Sequence, residues 1–101
     1  MKKDDFKTDV VFRKYRVSGE IIALMPHDVV DFGGNVNSYM QVGQHGGADY
    51  IGVIAKTIPA KDTECADLKK EMEELGYDIN PIKRINQEKY ISSLMDLRYK
   101  K

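Results

Sequence analysis

The chain has 101 residues, 42% of them hydrophobic, and its 16 basic side chains are balanced by 16 acidic ones. That is the length of one domain and the composition of a globular one, which excludes disorder, collagen-like repeats and a strongly basic nucleic-acid binder. No apolar run approaches the roughly 18 residues of a membrane span, and the opening Met1-Lys2-Lys3-Asp4-Asp5 lacks the apolar segment of a signal peptide.

Residues 1–9 are polar apart from Phe6 and read as a loosely ordered lead, with residues 10–101 as a single domain. Val10 to Val17 and Glu20 to Met25 are β-branched and apolar runs on either side of Ser18-Gly19, which predicts a β-hairpin with a two-residue turn. Pro26 is expected to end the second strand, because it has no N–H for a ladder. His27 to Asn35 then reads as a loop, and Val36 to His45 as a third strand. Gly46-Gly47 can supply the positive φ of a tight turn, which would place a fourth strand at Tyr50 to Thr57. Those same residues also suit a short helix, since Tyr50, Val53 and Ile54 fall on one helical side. Gly52 and the Ile/Val content favour the strand.

Pro59 closes that element. Asp62 or Thr63 is placed to cap a helix whose apolar stripe is Cys65, Leu68, Met72 and Leu75 and whose end is marked by Gly76. Ile79 to Ile85, interrupted by Pro81, fits an edge strand. Asn86 is placed to cap a last helix with Tyr90, Ile91, Leu94 and Leu97 on one side. Met25, Met40 and Met95 read as core. The order ββββαβα predicts an α+β fold, a mostly antiparallel sheet with two helices packed on one face.

The densest polar cluster is Ser38 to Tyr50. Within it Ser38, Tyr39, Gln41, Gln44, His45, Gly46, Gly47 and Asp49 are the candidate binding residues. Glycine amides can approach an anion, and the amide and imidazole side chains can hydrogen-bond a ligand. The bland alternative is a solvated hairpin. The spacing matches neither a phosphate-binding Gly-Lys-Ser/Thr loop nor the Gly-x-Gly-x-x-Gly of dinucleotide binding.

His45 with Asp49 suggests a general base, with Ser38 or Cys65 as the nucleophile, but nothing in the spacing brings these together. No catalytic residue is assigned. His27, Asp28, Asp31, His45 and Asp49 lack metal-ligand spacing, so no metal or other cofactor is assigned either. The lone Cys65 excludes an internal disulfide and fits a reducing, cytoplasmic setting; on its helix stripe it is a small core hydrophobe. Arg13, Lys14 and Arg16, and then Lys83, Arg84, Lys89, Arg98, Lys100 and Lys101, form two basic regions that read as solvated faces.

The string Ser38-Tyr39-Met40-Gln41-Val42-Gly43-Gln44-His45, with Thr57-Ile58-Pro59-Ala60, Ala66-Asp67-Leu68-Lys69-Lys70-Glu71 and Gly76-Tyr77, resembles a group of small bacterial proteins. Val11-Phe12-Arg13-Lys14 and Gly19-Glu20-Ile21-Ile22-Ala23-Leu24 extend the likeness, which covers about residues 10–86. The group is associated with phages, plasmids and gut Bacteroides-like bacteria. The resemblance implies a mobile-element context and gives weight to the Gln44-His45 segment as a surface; it carries no activity with it. The group has an aromatic residue where Cys65 stands and often a His near Gln41. The absence of that His here weighs against a metal or acid-base role.

These readings converge on a small non-catalytic binding or accessory protein that uses Gln41 to Tyr50. Its partner would be a protein or a small anionic ligand, with nucleic acid disfavoured, no membrane, and a monomeric or homodimeric state. The alternatives are a protein that sequesters or senses a nucleotide-like small molecule through Gly46-Gly47 with Arg13 or Arg84, and a small hydrolase with His45 as base.

Overall fold

Six strands form one sheet, and the alternation of side chains along its two central strands decides what covers it. The structure, a computed structural model, describes residues 7–40 and 44–99. β1 (Thr8–Tyr15) and β2 (Ile21–Val29) pair antiparallel, with Val11 opposite Leu24 and Arg13 opposite Ile22. Both strands carry continuous apolar runs, and Val10, Val11, Phe12, Ile22, Ala23, Leu24 and Met25 are all buried. A run of that kind, shielded at odd and even positions alike, needs cover on both faces. β3 (Val36–Met40) adds antiparallel to β2, and β4 (Gln44–Ala48) to β3. The far edge of β1 is shared between two short strands. β5 (Thr57–Pro59) pairs antiparallel with its second half, and β6 (Ile79–Pro81) pairs parallel with its first.

The two faces have different lids. Cys65, Leu68 and Met72 of α2 (Asp62–Glu74) meet Val10, Phe12, Ala23, Met25 and Tyr39. On the opposite face Tyr50, Val53 and Ile54 of α1 (Tyr50–Lys56) lie against Val11, Ile22 and Leu24. A third helix, α3 (Gln87–Tyr99), runs beside the end of β2. The fold is α+β with a sheet antiparallel except for the β1–β6 pair, as the sequence predicts. The helices, however, number three rather than two, and they do not share one face, because odd and even positions of β1 and β2 each need burying.

The added helix is the segment expected as a fourth strand. Tyr50 to Lys56 is helical, and only Thr57 belongs to a strand. Positions 50, 53 and 54 reach the core together only at helical spacing. Gly52 serves that helix too, since a Cβ there would come within 2.8 Å of the Asp49 carboxylate folded over the first turn. The true fourth strand is the glycine-bearing stretch Gln44–Ala48. Gly46 and Gly47 therefore do not make a turn: they stand opposite Ser38 and Asn37 in the ladder. Positive φ occurs at Gly19, Gly34 and Gly76 among the described residues. His45, expected to end the third strand, belongs to β4 opposite Tyr39.

Other boundaries also move: β6 stops at Pro81 rather than reaching Ile85, and His27, Asp28 and Val29 belong to β2 rather than to a loop. Thr8 and Asp9 leave the lead for β1, because β6 pairs with them. β2 continues through Pro26, which is buried at a shift of register between Met25 and Val29, where the ladder does not need its missing N–H. The first hairpin connection has five residues, 16–20, rather than two, and the Tyr15 N–H donates to the Glu20 carbonyl at 2.9 Å within it. Lys61, not Asp62 or Thr63, occupies the N-cap of α2, and its N–H donates to the Glu64 carboxylate at 2.9 Å.

α2 ends where the sequence predicts. Gly76 takes φ 105°, its N–H reaches the Glu73 carbonyl (3.0 Å), and the Tyr77 N–H reaches that of Met72 (3.1 Å), a Schellman closure. Leu75 falls on this cap and is exposed rather than buried. Asn86 caps α3 as expected, accepting from the Lys89 N–H at 3.2 Å. No side chain of α3 is fully buried: Tyr90, Leu94 and Leu97 are half-covered, while Ile91 and Met95 are exposed. Of the methionines read as core, Met25 is buried and Met40 half-buried.

Candidate functional site

β4 is the terminal strand on its side of the sheet. Beyond its ladder with β3, residues 44–48 make no backbone hydrogen bond to another described residue. Their outer N–H and C=O groups are turned away from the fold, and His45, Gly46 and Gly47 are exposed.

Alternation places His45 on the α2 face together with its ladder partner Tyr39. The two rings meet edge to face, their centroids 4.6 Å apart. His45 Nε2 is 3.0 Å from the Tyr77 hydroxyl, and Tyr77 is positioned by the Schellman closure of α2. Tyr39 is buried beneath, and its hydroxyl donates to the Glu71 carboxylate on α2. The end of α2 and the edge of the sheet thus hold a polar cluster graded from the buried Tyr39, through the half-buried Glu71 and Tyr77, to the exposed His45.

The remaining predicted residues divide. Ser38 points to the opposite face, where its hydroxyl donates to the Gly46 carbonyl at 2.8 Å, so it does not share a site with His45. Asp49 lies four extended residues from His45, roughly 13 Å along the strand. There it precedes α1, and its carbonyl accepts from the Val53 N–H at 2.9 Å. Cys65 is buried in the α2 stripe, and burial pushes its thiol pKa up, away from the nucleophilic thiolate. Gln44 lies in β4 and Gln41 lies outside the described residues. The geometry therefore joins Tyr39 and His45, adds Tyr77 and Glu71, and separates His45 from Asp49, Ser38 and Cys65.

A second polar cluster escaped the sequence reading. Asp9 accepts from His27 Nδ1 at 2.9 Å, Lys89 Nζ at 3.1 Å and Asn80 Nδ2 at 2.8 Å. The opposite ring nitrogen of His27 accepts the Asn86 N–H at 2.8 Å, which fixes a neutral imidazole with its proton on Nδ1. An Asp–His pair of this shape suggests a general base, but the nitrogen that would take a proton is already occupied. The cluster joins β1, β2, β6 and the start of α3. Burial raises the Asp9 pKa, and the hydrogen bonds from Asn80, His27 and Lys89 outweigh it, so the carboxyl sits below its ordinary value. Nothing in the sequence signals this grouping, whose members are up to 80 positions apart. No protein-family model, curated protein or solved structure matches the chain.

Proposed function

We propose that the chain is a non-catalytic binding protein, a cytoplasmic accessory factor of a mobile element, that takes an extended segment of a partner protein onto the open edge of β4. The observation that carries this reading is the edge itself. Exposed edge strands are ordinarily protected by lysines, prolines or inward charges, and Gln44-His45-Gly46-Gly47-Ala48 has none of them. Main-chain hydrogen bonds to an added strand would supply affinity, and the two glycines leave room for its backbone. The His45 ring and the Tyr77 hydroxyl would read a side chain of that strand.

The other sequence readings find less support. Gly46 and Gly47 lie extended in a ladder, not in the concave turn that gathers amides around an anion. His45 is bonded to neither candidate nucleophile: Ser38 faces the other side of the sheet with its hydroxyl on the Gly46 carbonyl, and Cys65 is buried with its thiol on the Asp62 carbonyl. Several basic groups are already engaged, Lys14 by Glu64 at 2.5 Å, Lys89 by Asp9, and Arg98 by the Phe32 carbonyl at 2.7 Å.

The test is crosslinking capture from the native host, then titration of the purified partner against wild type, His45→Ala and Gly46→Lys. Both substitutions are at exposed positions and should leave the melting temperature within a few degrees. At least a tenfold loss of affinity in each is expected. A partner that binds both variants at full strength would remove the β4 edge from the function.

A further inference from the structure

The far edge of the sheet holds a groove that is independent of β4. β5 runs down the edge of β1 and β6 runs up it, so the two short strands approach each other head-on. They cannot both continue. Each ends in a proline, Pro59 opposite Arg13 and Pro81 opposite Val10, and each chain then leaves β1. The last bonds to β1 are the Ala60 N–H to the Phe12 carbonyl (3.1 Å) and the Ile82 N–H to the Val10 carbonyl (2.8 Å). Between them a notch of about 730 Å³ opens over Val11 and Phe12, within the range of small-molecule sites.

One flank of α2 forms the wall. Asp62, Cys65, Ala66 and Lys69 follow the i, i+3, i+4, i+7 spacing of a single helical face and all line the notch. Ala66 is exposed and small, which keeps the space beside Cys65 open. The floor and the facing wall are apolar, formed by Phe12, Ala60, Ile82 and the two prolines. The polar rim is unbalanced, with Lys69 and Lys83 against the single carboxylate of Asp62, while Arg13 lines the notch with its guanidinium turned toward the end of α1. Arg13 spends its hydrogen bonds on neutral acceptors, the Thr57 hydroxyl (2.9 Å) and the carbonyls of Thr57 (2.8 Å) and Ile54 (3.3 Å). Lys69 and Lys83 take part in no ion pair among the described residues.

From this combination we infer that the notch between β5 and β6 binds a small amphipathic organic anion, its carboxylate at the Lys69 and Lys83 rim and its apolar body over Phe12 and Ala66. Burial of the body supplies the affinity, and the uncompensated ammonium groups select an anion over a neutral or cationic analogue. Asp62 stands at the other end of the α2 flank, seven residues or about 10 Å from Lys69, and so fixes which way round the ligand lies.

The probe is 1-naphthaleneacetate, titrated calorimetrically into the full chain, with 1-naphthaleneacetamide as its neutral counterpart. The lone Cys65 provides a local readout through its rate of modification by methyl methanethiosulfonate. Expected are saturable one-to-one binding, at least tenfold weaker binding of the amide, and severalfold slower Cys65 modification with the acid bound. The double variant Lys69→Glu, Lys83→Glu should lose at least tenfold in affinity, and Ala66→Trp should fill the notch and abolish binding. Asp62→Asn should bind severalfold tighter. All the substituted side chains lie at the surface, and circular dichroism checks that each variant is folded. Absence of saturable binding would overturn the assignment, as would binding that leaves Cys65 unprotected or survives Ala66→Trp. His45→Ala, which tests the β4 edge, should leave this binding unchanged.

Discussion

Asp9 shows how much one side chain can hold together when its partners, His27, Asn80 and Lys89, come from three separate parts of the chain. Replacing it by Asn keeps the shape but removes the charge that His27, Lys89 and Asn80 all address. A loss of about 2 kcal/mol at neutral pH is expected, the usual scale for hydrogen bonds to an ionised group. Its pH signature follows from the depressed folded pKa. The stabilisation is complete above the ordinary carboxylate value and disappears as pH falls through the folded value. Urea unfolding of wild type and Asp9→Asn should therefore differ most near pH 7 and converge below about pH 4. A gap of constant size would show that the charge is not what Asp9 contributes. Gly34 is a second sensitive position: it takes φ 89°, and an added Cβ would overlap the Tyr90 hydroxyl, which donates to its carbonyl at 2.9 Å. Gly34→Ala should cost about 1–3 kcal/mol, and thermal unfolding would measure it.

The helices are held by different physics. α2 inserts Leu68 and Met72 into the core with almost no exposure, so Leu68→Ala should cost roughly 2–5 kcal/mol in chemical unfolding. α3 buries nothing completely. It is attached by polar bonds at its start, middle and end: Asn86 to His27, Ser93 to the Val29 N–H at 3.0 Å, and Arg98 to the Phe32 carbonyl. Such contacts are worth less than packed apolar area, because water competes for them. Hydrogen exchange should therefore find the amides of α3 opening at lower free energy than those of α2, β1 and β2. Equal protection in α2 and α3 would contradict this ranking.

For the molecule as a whole, sixteen charges of each sign and a sequence pI near 6.7 leave little net charge to keep copies apart at neutral pH. With an unprotected β4 edge, solubility should pass through a minimum close to that pH and improve on either side, measurable by turbidity across a pH series. The two candidate surfaces lie at opposite edges of the same sheet, β4 on one side and the β5–β6 notch on the other. A partner on the first would therefore leave the second accessible.

By itself the sequence determined the local elements with strong signals of their own. Glycine at 76 ended α2, Asn86 capped α3, the stripe of Cys65, Leu68 and Met72 marked the buried side of α2, and the runs in β1 and β2 marked the central strands. These depend on contacts a few residues apart, which a sequence displays directly. Tyr50 to Lys56 was ambiguous because a short apolar run suits a strand or a helix equally, and only the uncovered second face of the sheet, with Val11, Ile22 and Leu24, required a helix there. Gly46 and Gly47 carried the signal of a turn, but pairing with β3 made them a strand. In the candidate site, His45 and Tyr39 were legible as a polar cluster; Tyr77 and Glu71 were not, since they come from the far end of α2. The Asp9 cluster and the notch left no mark in the sequence at all. Both arise where distant segments meet along β1, and only the tertiary structure brings those segments together.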